Sequence, residues 1–371
     1  MFIRKVQETE RLIQFRLLKL KCFSYLGSDE TENLLRRGPP AQQEIQDMKH
    51  SSILIAALLL CSQVAFGQWG QFKSIDPSQA KSKVMTTLDH FTYSDDMQYP
   101  TYHDVVYARR DSMDLHVRVI TPGIHSEKPL PCICFIQGAA WFKQDLDMRL
   151  SYLMGFSRRG YVIAMIEHRP STTAKYPAQI QDVKSAVRFM RDNADKYHAD
   201  PLNMFVWGDS SGGNLALLET LTQDSPSLDT PEEYGGQSLA VNACVAFYPV
   251  TDVLRMQEFA PDYMDHISAD SPTGTLFGHI AVMENPDIVK TVSPIEYVSR
   301  EKAAIAPILI VTGNRDNVVP YEQSVIMADK LEDCGYDYKF YKIEGGDHGS
   351  REFWSVEVSA LVDGFFKLHM K

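Results

Sequence analysis

Short apolar segments alternate with amphipathic helical segments along most of this chain, and this alternation is the feature that most limits its fold. Residues 132–136, 161–166 and 204–207 are almost entirely apolar, as expected for strands buried on both faces. Residues 179–197 carry apolar side chains at three- and four-residue steps, which predicts a helix with one buried face. Strands and helices in this order form a mostly parallel sheet covered by helices on both faces.

Five further segments complete a predicted sheet of about eight strands: 104–110, 115–121, 241–250, 307–312 and 338–343. A turn at Asp111 and Ser112 joins the first two of these, so the sheet is expected to open with an antiparallel hairpin. Other helices are predicted at 148–159, 214–221, 325–331 and 352–368.

Residues 251–294 interrupt the alternation and are expected to form an insertion over the carboxyl edge of the sheet, either an apolar lid or additional core.

Residues 48–67 have the organisation of a secretory signal peptide. The basic start Met48-Lys49-His50 precedes an apolar run at 53–60, and small residues precede a cleavage site after Gly67. The apolar run is too short for a stable membrane span. The protein is therefore expected to be secreted or periplasmic after cleavage near Gly67, with residues 68–371 forming the folded domain.

Residues 1–47 precede this signal and are polar and charged, with scattered apolar positions. A secretory signal normally stands at the start of a chain, so we expect translation to begin at Met48 and residues 1–47 to be no part of the fold. A lipoprotein signal that ends at Cys61 is an alternative, disfavoured because Leu60 stands where that peptidase needs a small residue.

A G-x-S-x-G pattern, Gly208-Asp209-Ser210-Ser211-Gly212, lies between a predicted strand and a predicted helix. This pattern is typical of a sharp strand-to-helix turn that exposes the central serine. The start of the following helix directs free N–H groups toward the same point and stabilises negative charge there. Ser210 is therefore the candidate nucleophile. Ser211 competes with it, but only Ser210 is central in the pattern.

A serine nucleophile needs a base, and the base needs an acid that orients it. Asp316 follows the predicted strand at 307–312, and His348 lies in a glycine-flanked loop after the last predicted strand. The chain order serine, aspartate, histidine, each after its own strand, predicts a triad of Ser210, His348 and Asp316. Asp347 is a competing acid, disfavoured because it is adjacent to His348.

The turn after residues 132–136, with the sequence Gln-Gly-Ala-Ala-Trp, follows a strand where an oxyanion hole needs backbone donors. The expected donors are the N–H groups of Gly138, Ala139 and Ser211. An ordinary strand-to-helix turn is the alternative for this segment. Trp141 and Phe142 either line a substrate pocket or pack in the core.

These segments together resemble the carboxylesterase branch of the α/β hydrolases, which includes hormone-sensitive-lipase-like esterases and secreted acetylxylan and feruloyl esterases. Residues 208–216 are similar to the GDSAGGNLA segment of that family, with Ser211 in place of alanine. The resemblance covers about residues 104–368 and includes the segments 167–170, 176–178 and 292–294. It departs at the oxyanion turn, where the family has His-Gly-Gly-Gly and this chain has Gln-Gly-Ala-Ala.

The resemblance implies an α/β-hydrolase fold and hydrolysis of small-molecule or carbohydrate esters, such as acetyl or feruloyl esters, through an acyl-enzyme. A serine peptidase of the prolyl-oligopeptidase type is an alternative, although no repeat array of the kind that forms its propeller precedes residue 104. A non-catalytic binding protein on the same fold is the other alternative.

Composition excludes some other classes. The formal net charge of −11 argues against a nucleic-acid surface, which needs concentrated basic residues. The histidines are scattered singly and show no metal-ligand spacing, so no metal or other cofactor is expected.

Free thiols are expected at Cys132, Cys134, Cys244 and Cys334, with a disulfide as the alternative in an oxidising compartment.

Overall fold

The computed structural model describes residues 100–371, apart from 125, 231–233 and 303–304. The expected signal peptide at 48–67 and the segment 1–47 lie outside the described residues. The described part contains one eight-stranded sheet of order β1-β2-β4-β3-β5-β6-β7-β8. Its strands are β1 Thr101–Arg110, β2 Met113–Thr121, β3 Leu130–Ile136, β4 Val162–Ile166, β5 Ala199–Asp209, β6 Ala243–Phe247, β7 Ile308–Gly313 and β8 Tyr338–Ile343.

Strand directions match the prediction of a mostly parallel sheet with an antiparallel start. Strand β1 pairs with β2, and β2 with β4, in antiparallel register, while all pairs from β4 through β3 to β8 are parallel. Asp111 and Ser112 form the two-residue hairpin turn, with φ of 50° and 65°. Positive φ at both positions matches the twist of the flanking strands. The α/β-hydrolase fold is confirmed.

Helices cover both faces of the sheet because the strand residues alternate between two buried cores. In β3, Cys132 and Cys134 face one core, whereas Ile133 and Phe135 face the other. The long helices are α1 Leu150–Ser157, α2 Ala178–Asp192, α3 Ser211–Leu221, α4 Tyr321–Cys334 and α5 Val356–Leu368. Helices α2 and α3 contribute to the first core, α1 and α5 to the second. Within the described ranges, no helix combines the length and apolar character needed to cross a membrane.

The predicted insertion at 251–294 is present and contains no strand. It consists of single helical turns, among them Met256–Phe259, Pro272–Leu276 and Pro286–Val289. Its apolar residues divide between two environments. Met256 and Phe277 are buried in the core, whereas the side chains of Tyr263 and Met283 are exposed. Much of the insertion is therefore additional core.

The cysteines that the structure describes carry free thiols. Cys132, Cys134 and Cys244 are buried in the sheet, and Cys334 is half-buried. Burial raises the pKa of Cys244 to about 12. Since the thiolate is the reactive form of cysteine, we expect this thiol to be chemically inert.

Helices α2 and α3 bury an acid and a base against each other. Glu219 of α3 and Lys184 of α2 are both fully inaccessible to solvent. Burial raises the pKa of Glu219 to about 8, and attraction to Lys184 offsets only part of this effect. The Lys184 ammonium donates a hydrogen bond to the backbone carbonyl of Thr222 at 2.5 Å. We therefore expect the folded protein to keep the Glu219 proton to a higher pH than the unfolded chain does.

A Glu219→Gln variant tests this protonation. Between pH 5 and 8 the unfolded chain has largely lost the Glu219 proton, whereas the raised pKa of Glu219 means that the folded protein should keep it. The free energy of unfolding of the wild type should therefore fall relative to that of the variant, by on the order of 1 kcal/mol per pH unit. Urea unfolding at several pH values measures the difference. Glu357→Gln, which removes an exposed carboxylate, is the matched control. Parallel pH profiles for wild type and Glu219→Gln would contradict the assignment.

Candidate active site

Ser210 lies at a sharp turn between the end of β5 and the start of α3, with φ of 54° and ψ of −123°. Glycines on both sides make this turn sterically feasible. A Cβ at Gly208 would stand 2.1 Å from the carbonyl oxygen of Gly212, and one at Gly212 would stand 2.0 Å from that of Ile136. Such distances exclude any side chain at either position. The turn therefore holds Ser210 in a backbone conformation that serine rarely adopts.

The structure brings the three predicted triad side chains into one hydrogen-bonded chain. His348 Nε2 lies 3.1 Å from Ser210 Oγ, and His348 Nδ1 lies 2.7 Å from Asp316 Oδ2. The other Asp316 oxygen accepts hydrogen bonds from the N–H groups of Val318 and Val319, both at 2.9 Å. An ionised carboxylate can only accept, so Nδ1 carries the proton and Nε2 is free to accept from the serine hydroxyl.

Asp347 and Ser211, the alternatives for the acid and the nucleophile, form other hydrogen bonds. The Asp347 carboxylate accepts from the backbone N–H of His348 at 2.8 Å, and its side chain is exposed rather than paired with the imidazole. The Ser211 hydroxyl accepts from the backbone N–H groups of Ala139 and Trp141. Neither residue is in a position to replace Asp316 or Ser210 in the hydrogen-bonded chain.

The turn after β3 packs directly against Ser210. A Cβ at Gly138 would stand 2.7 Å from Ser210 Cβ and 2.3 Å from the Asp209 carbonyl oxygen. Only glycine allows this approach, which brings the backbone of the turn next to the position that a reacting carbonyl would occupy.

The amides of this turn differ from the sequence-based expectation. Gly138 N–H donates to Asp209 Oδ1 at 2.7 Å, and Ala139 N–H donates to Ser211 Oγ at 3.0 Å. Both groups already have acceptors and are not available to an oxyanion, so the assignment of Gly138 and Ala139 as donors requires correction. The backbone N–H of Ser211, the third expected donor, makes no hydrogen bond to the residues described here.

One other amide in the turn has no acceptor. Trp141 N–H donates to Ser211 Oγ at 3.2 Å, and Phe142 N–H donates to the Ala139 carbonyl at 2.9 Å. Across 138–142, only the N–H of Ala140 lacks a hydrogen bond to the described part of the chain. The amides of Ala140 and Ser211 thus have no acceptor among the described residues and are candidate donors to negative charge beside Ser210.

Sequence reasoning missed the role of Asp209, which directly precedes the nucleophile. Its carboxylate is buried and accepts from Gly138 N–H through Oδ1. Through Oδ2 it accepts from the Tyr248 hydroxyl at 2.9 Å and from Arg149 Nη2 at 3.0 Å. The Tyr248 ring in turn packs edge-on against the His348 imidazole, with ring centres 4.7 Å apart. The position of this acid inside the G-x-S-x-G pattern was the available signal.

Trp141 belongs to the core rather than to an open substrate wall. Its side chain is buried, and its indole N–H donates to Asn214 Oδ1 at 3.3 Å. Asn214 Nδ2 donates in turn to the carbonyls of Val250 and Val292, which fixes the amide. Phe142 is half-buried. The packing alternative is therefore favoured for Trp141.

Known proteins share this architecture. The chain is 29% identical to the esterase LipC of Mycobacterium tuberculosis over 227 residues, 60% of this chain and 53% of LipC. It therefore spans only about half the length of the curated relatives that it matches. A solved structure described as a truncated form of a carbohydrate esterase from gut microbiota superposes with a TM-score of 0.66. That protein is 29% identical, and the match covers 74% of this chain and 98% of the other.

A second solved structure, the bifunctional GH43-CE protein of Bacteroides eggerthii, is 26% identical with a TM-score of 0.65. The match covers 75% of this chain and 39% of that protein. The family model described as BD-FAE matches residues 119–331, which is more than half of the chain and contains both the turn after β3 and Ser210. This chain belongs to the BD-FAE family.

Proposed function

We propose that this protein is a serine hydrolase that cleaves carboxylic esters through an acyl-enzyme on Ser210. The hydrogen-bonded chain from Ser210 through His348 to Asp316, with distances of 3.1 Å and 2.7 Å, is the observation that carries the proposal. A serine activated by an oriented imidazole is suited to acyl transfer. The esterase names of the relatives support the same reaction class.

The reaction begins when Ser210 Oγ attacks the acyl carbonyl and His348 Nε2 takes its proton. The negative charge that develops on the carbonyl oxygen is stabilised by the N–H groups of Ala140 and Ser211, aided by the N-terminus of α3. His348 then gives its proton to the departing alcohol, which leaves an acyl group on Ser210. Water, deprotonated by His348, attacks this acyl group, the bond from the acyl carbon to Ser210 Oγ breaks, and His348 returns the proton to Oγ as the carboxylic acid leaves. Asp316 stabilises the imidazolium of His348 during both acylation and deacylation.

For the substrate, we propose acetyl or feruloyl esters of carbohydrates. One solved relative is described as a carbohydrate esterase, and the Bacteroides eggerthii relative joins a GH43 part to a CE part. An acetyl or feruloyl ester of a sugar hydroxyl presents a carbonyl that the hydroxyl of the half-buried Ser210 can attack. Secretion fits this substrate, since polysaccharides lie outside the cell.

Secretion has its own test. When residues 48–371 are expressed in a bacterium with a secretory pathway, the protein recovered outside the cytoplasm should begin at Gln68 by N-terminal sequencing, because small residues precede this bond. Recovery of uncleaved protein in the cytoplasm alone would contradict the proposed signal peptide.

Ser210→Ala tests the reaction. Loss of the nucleophile should lower kcat for p-nitrophenyl acetate by about 10⁴-fold or more, because the remaining groups cannot form an acyl-enzyme. Ser157→Ala is the matched control, since it removes a buried hydroxyl that has no hydrogen-bond partner among the described residues. Equal rates for wild type and Ser210→Ala would contradict the proposal and leave the peptidase and binding alternatives to be tested.

The same assay separates the two acids beside His348. Asp316→Asn should lower kcat by about 10³- to 10⁴-fold, because an amide at this position favours the wrong imidazole tautomer. Asp347→Asn should retain activity close to the wild type, since within the described ranges this carboxylate accepts a hydrogen bond only from a backbone N–H. A larger loss in Asp347→Asn than in Asp316→Asn would assign the acid to Asp347.

A further inference from the structure

The turn after β3 adopts a backbone conformation that its residues disfavour. Ala140 and Trp141 have φ of 51° and 59°, and the Phe142 N–H donates to the Ala139 carbonyl across them at 2.9 Å. A two-residue turn with both central residues in the left-handed region normally contains glycine or asparagine. Alanine and tryptophan adopt this region at an energetic cost, so other contacts must hold the turn.

The Ser211 hydroxyl supplies such contacts. Its oxygen accepts hydrogen bonds from the N–H groups of Ala139 at 3.0 Å and Trp141 at 3.2 Å, the two residues that flank Ala140. Ser211 and Trp141 are both almost fully buried, so water does not compete for these bonds. One side chain therefore fixes the turn on both sides of its single unpaired amide.

We propose that Ser211 is a positioning residue for ester hydrolysis, whose hydroxyl holds the Ala140 amide as an oxyanion donor. The backbone N–H of Ser211 is the second donor, so one residue sets the spacing between the two. This inference rests on the proposed function. It goes beyond the triad because it assigns a rate effect to a side chain that touches neither substrate nor His348.

The sequence departs from the family pattern that it resembles both in this turn and at the serine that binds it. Where the pattern has glycine and alanine, this chain has Ala140 and Ser211. Glycine adopts positive φ without steric cost and needs no hydroxyl to hold it there. The serine at 211 therefore compensates for the alanine at 140.

Ser211→Ala tests the proposal because it removes the hydroxyl and keeps the backbone N–H. We expect kcat for p-nitrophenyl acetate to fall about 10- to 100-fold, with KM within about threefold of the wild type, since the donor acts mainly in the transition state. Affinity for a trifluoromethyl ketone, which mimics the tetrahedral intermediate, should weaken in parallel. Titration with a fluorophosphonate to completion gives the concentration of competent sites, so that kcat refers to folded enzyme.

A double-mutant cycle separates positioning from a general structural defect. The loss in kcat caused by Ser211→Ala should be at least about fivefold smaller in an Ala140→Gly background than in the wild-type background, because glycine removes the steric cost of positive φ at the donor residue itself. Ser211→Thr, which retains a hydroxyl, should recover more activity than Ser211→Ala. Ser157→Ala is again the control for removal of a buried serine hydroxyl.

The outcomes are distinguishable. Wild-type kcat and inhibitor affinity in Ser211→Ala would overturn the positioning role. An equal loss in the alanine and glycine backgrounds would also overturn it, because the effect would then be independent of the turn. Should Ser211→Ala fail to fold, the same comparison is made with Ser211→Cys, alone and combined with Ala140→Gly, because a thiol of similar size is only a weak hydrogen-bond acceptor. Full activity in Ser210→Ala would instead refute the proposed function.

Discussion

Backbone contact between the turn at Ser210 and the turn after β3 is the constraint on which the site depends. Gly212 packs on the Ile136 carbonyl, and Gly138 packs on Ser210 Cβ, at distances that exclude side chains. The residues on either side of Ser210 then bind the neighbouring turn through their own side chains. Asp209 accepts from Gly138 N–H and Ser211 accepts from Ala139 N–H. Ser210 is thereby fixed relative to the backbone amides of the neighbouring turn.

Local sequence patterns predict most of the fold because apolar runs and helical periodicity are set by neighbouring residues. All eight strands were predicted, and the bounds of β8, Tyr338–Ile343, agree with the prediction. Errors occur where tertiary contacts set an end. Helix α3 begins at Ser211 rather than at residue 214, since the glycines of its first turn pack on β3 and on the β6 end. Strand β6 ends at Phe247, because Tyr248 has φ of 36° and Pro249 follows.

The candidate site was predictable to the extent that each residue follows its own strand. Chain order placed Ser210, Asp316 and His348 at one edge of the sheet, and the structure brings them into contact. The donors were not predictable in the same way. Which amides of a turn stay free depends on side chains from another element, here Asp209 and Ser211. No local pattern encodes those hydrogen bonds.

A crystal structure of the wild-type protein after reaction with a dialkyl p-nitrophenyl phosphate tests the central claim most directly. The account predicts a phosphoryl group on Ser210 Oγ, with its non-bridging oxygen at about 3 Å from the backbone nitrogens of both Ala140 and Ser211. Attachment to Ser211, or a phosphoryl oxygen bound by the amides of Gly138 and Ala139, would contradict it.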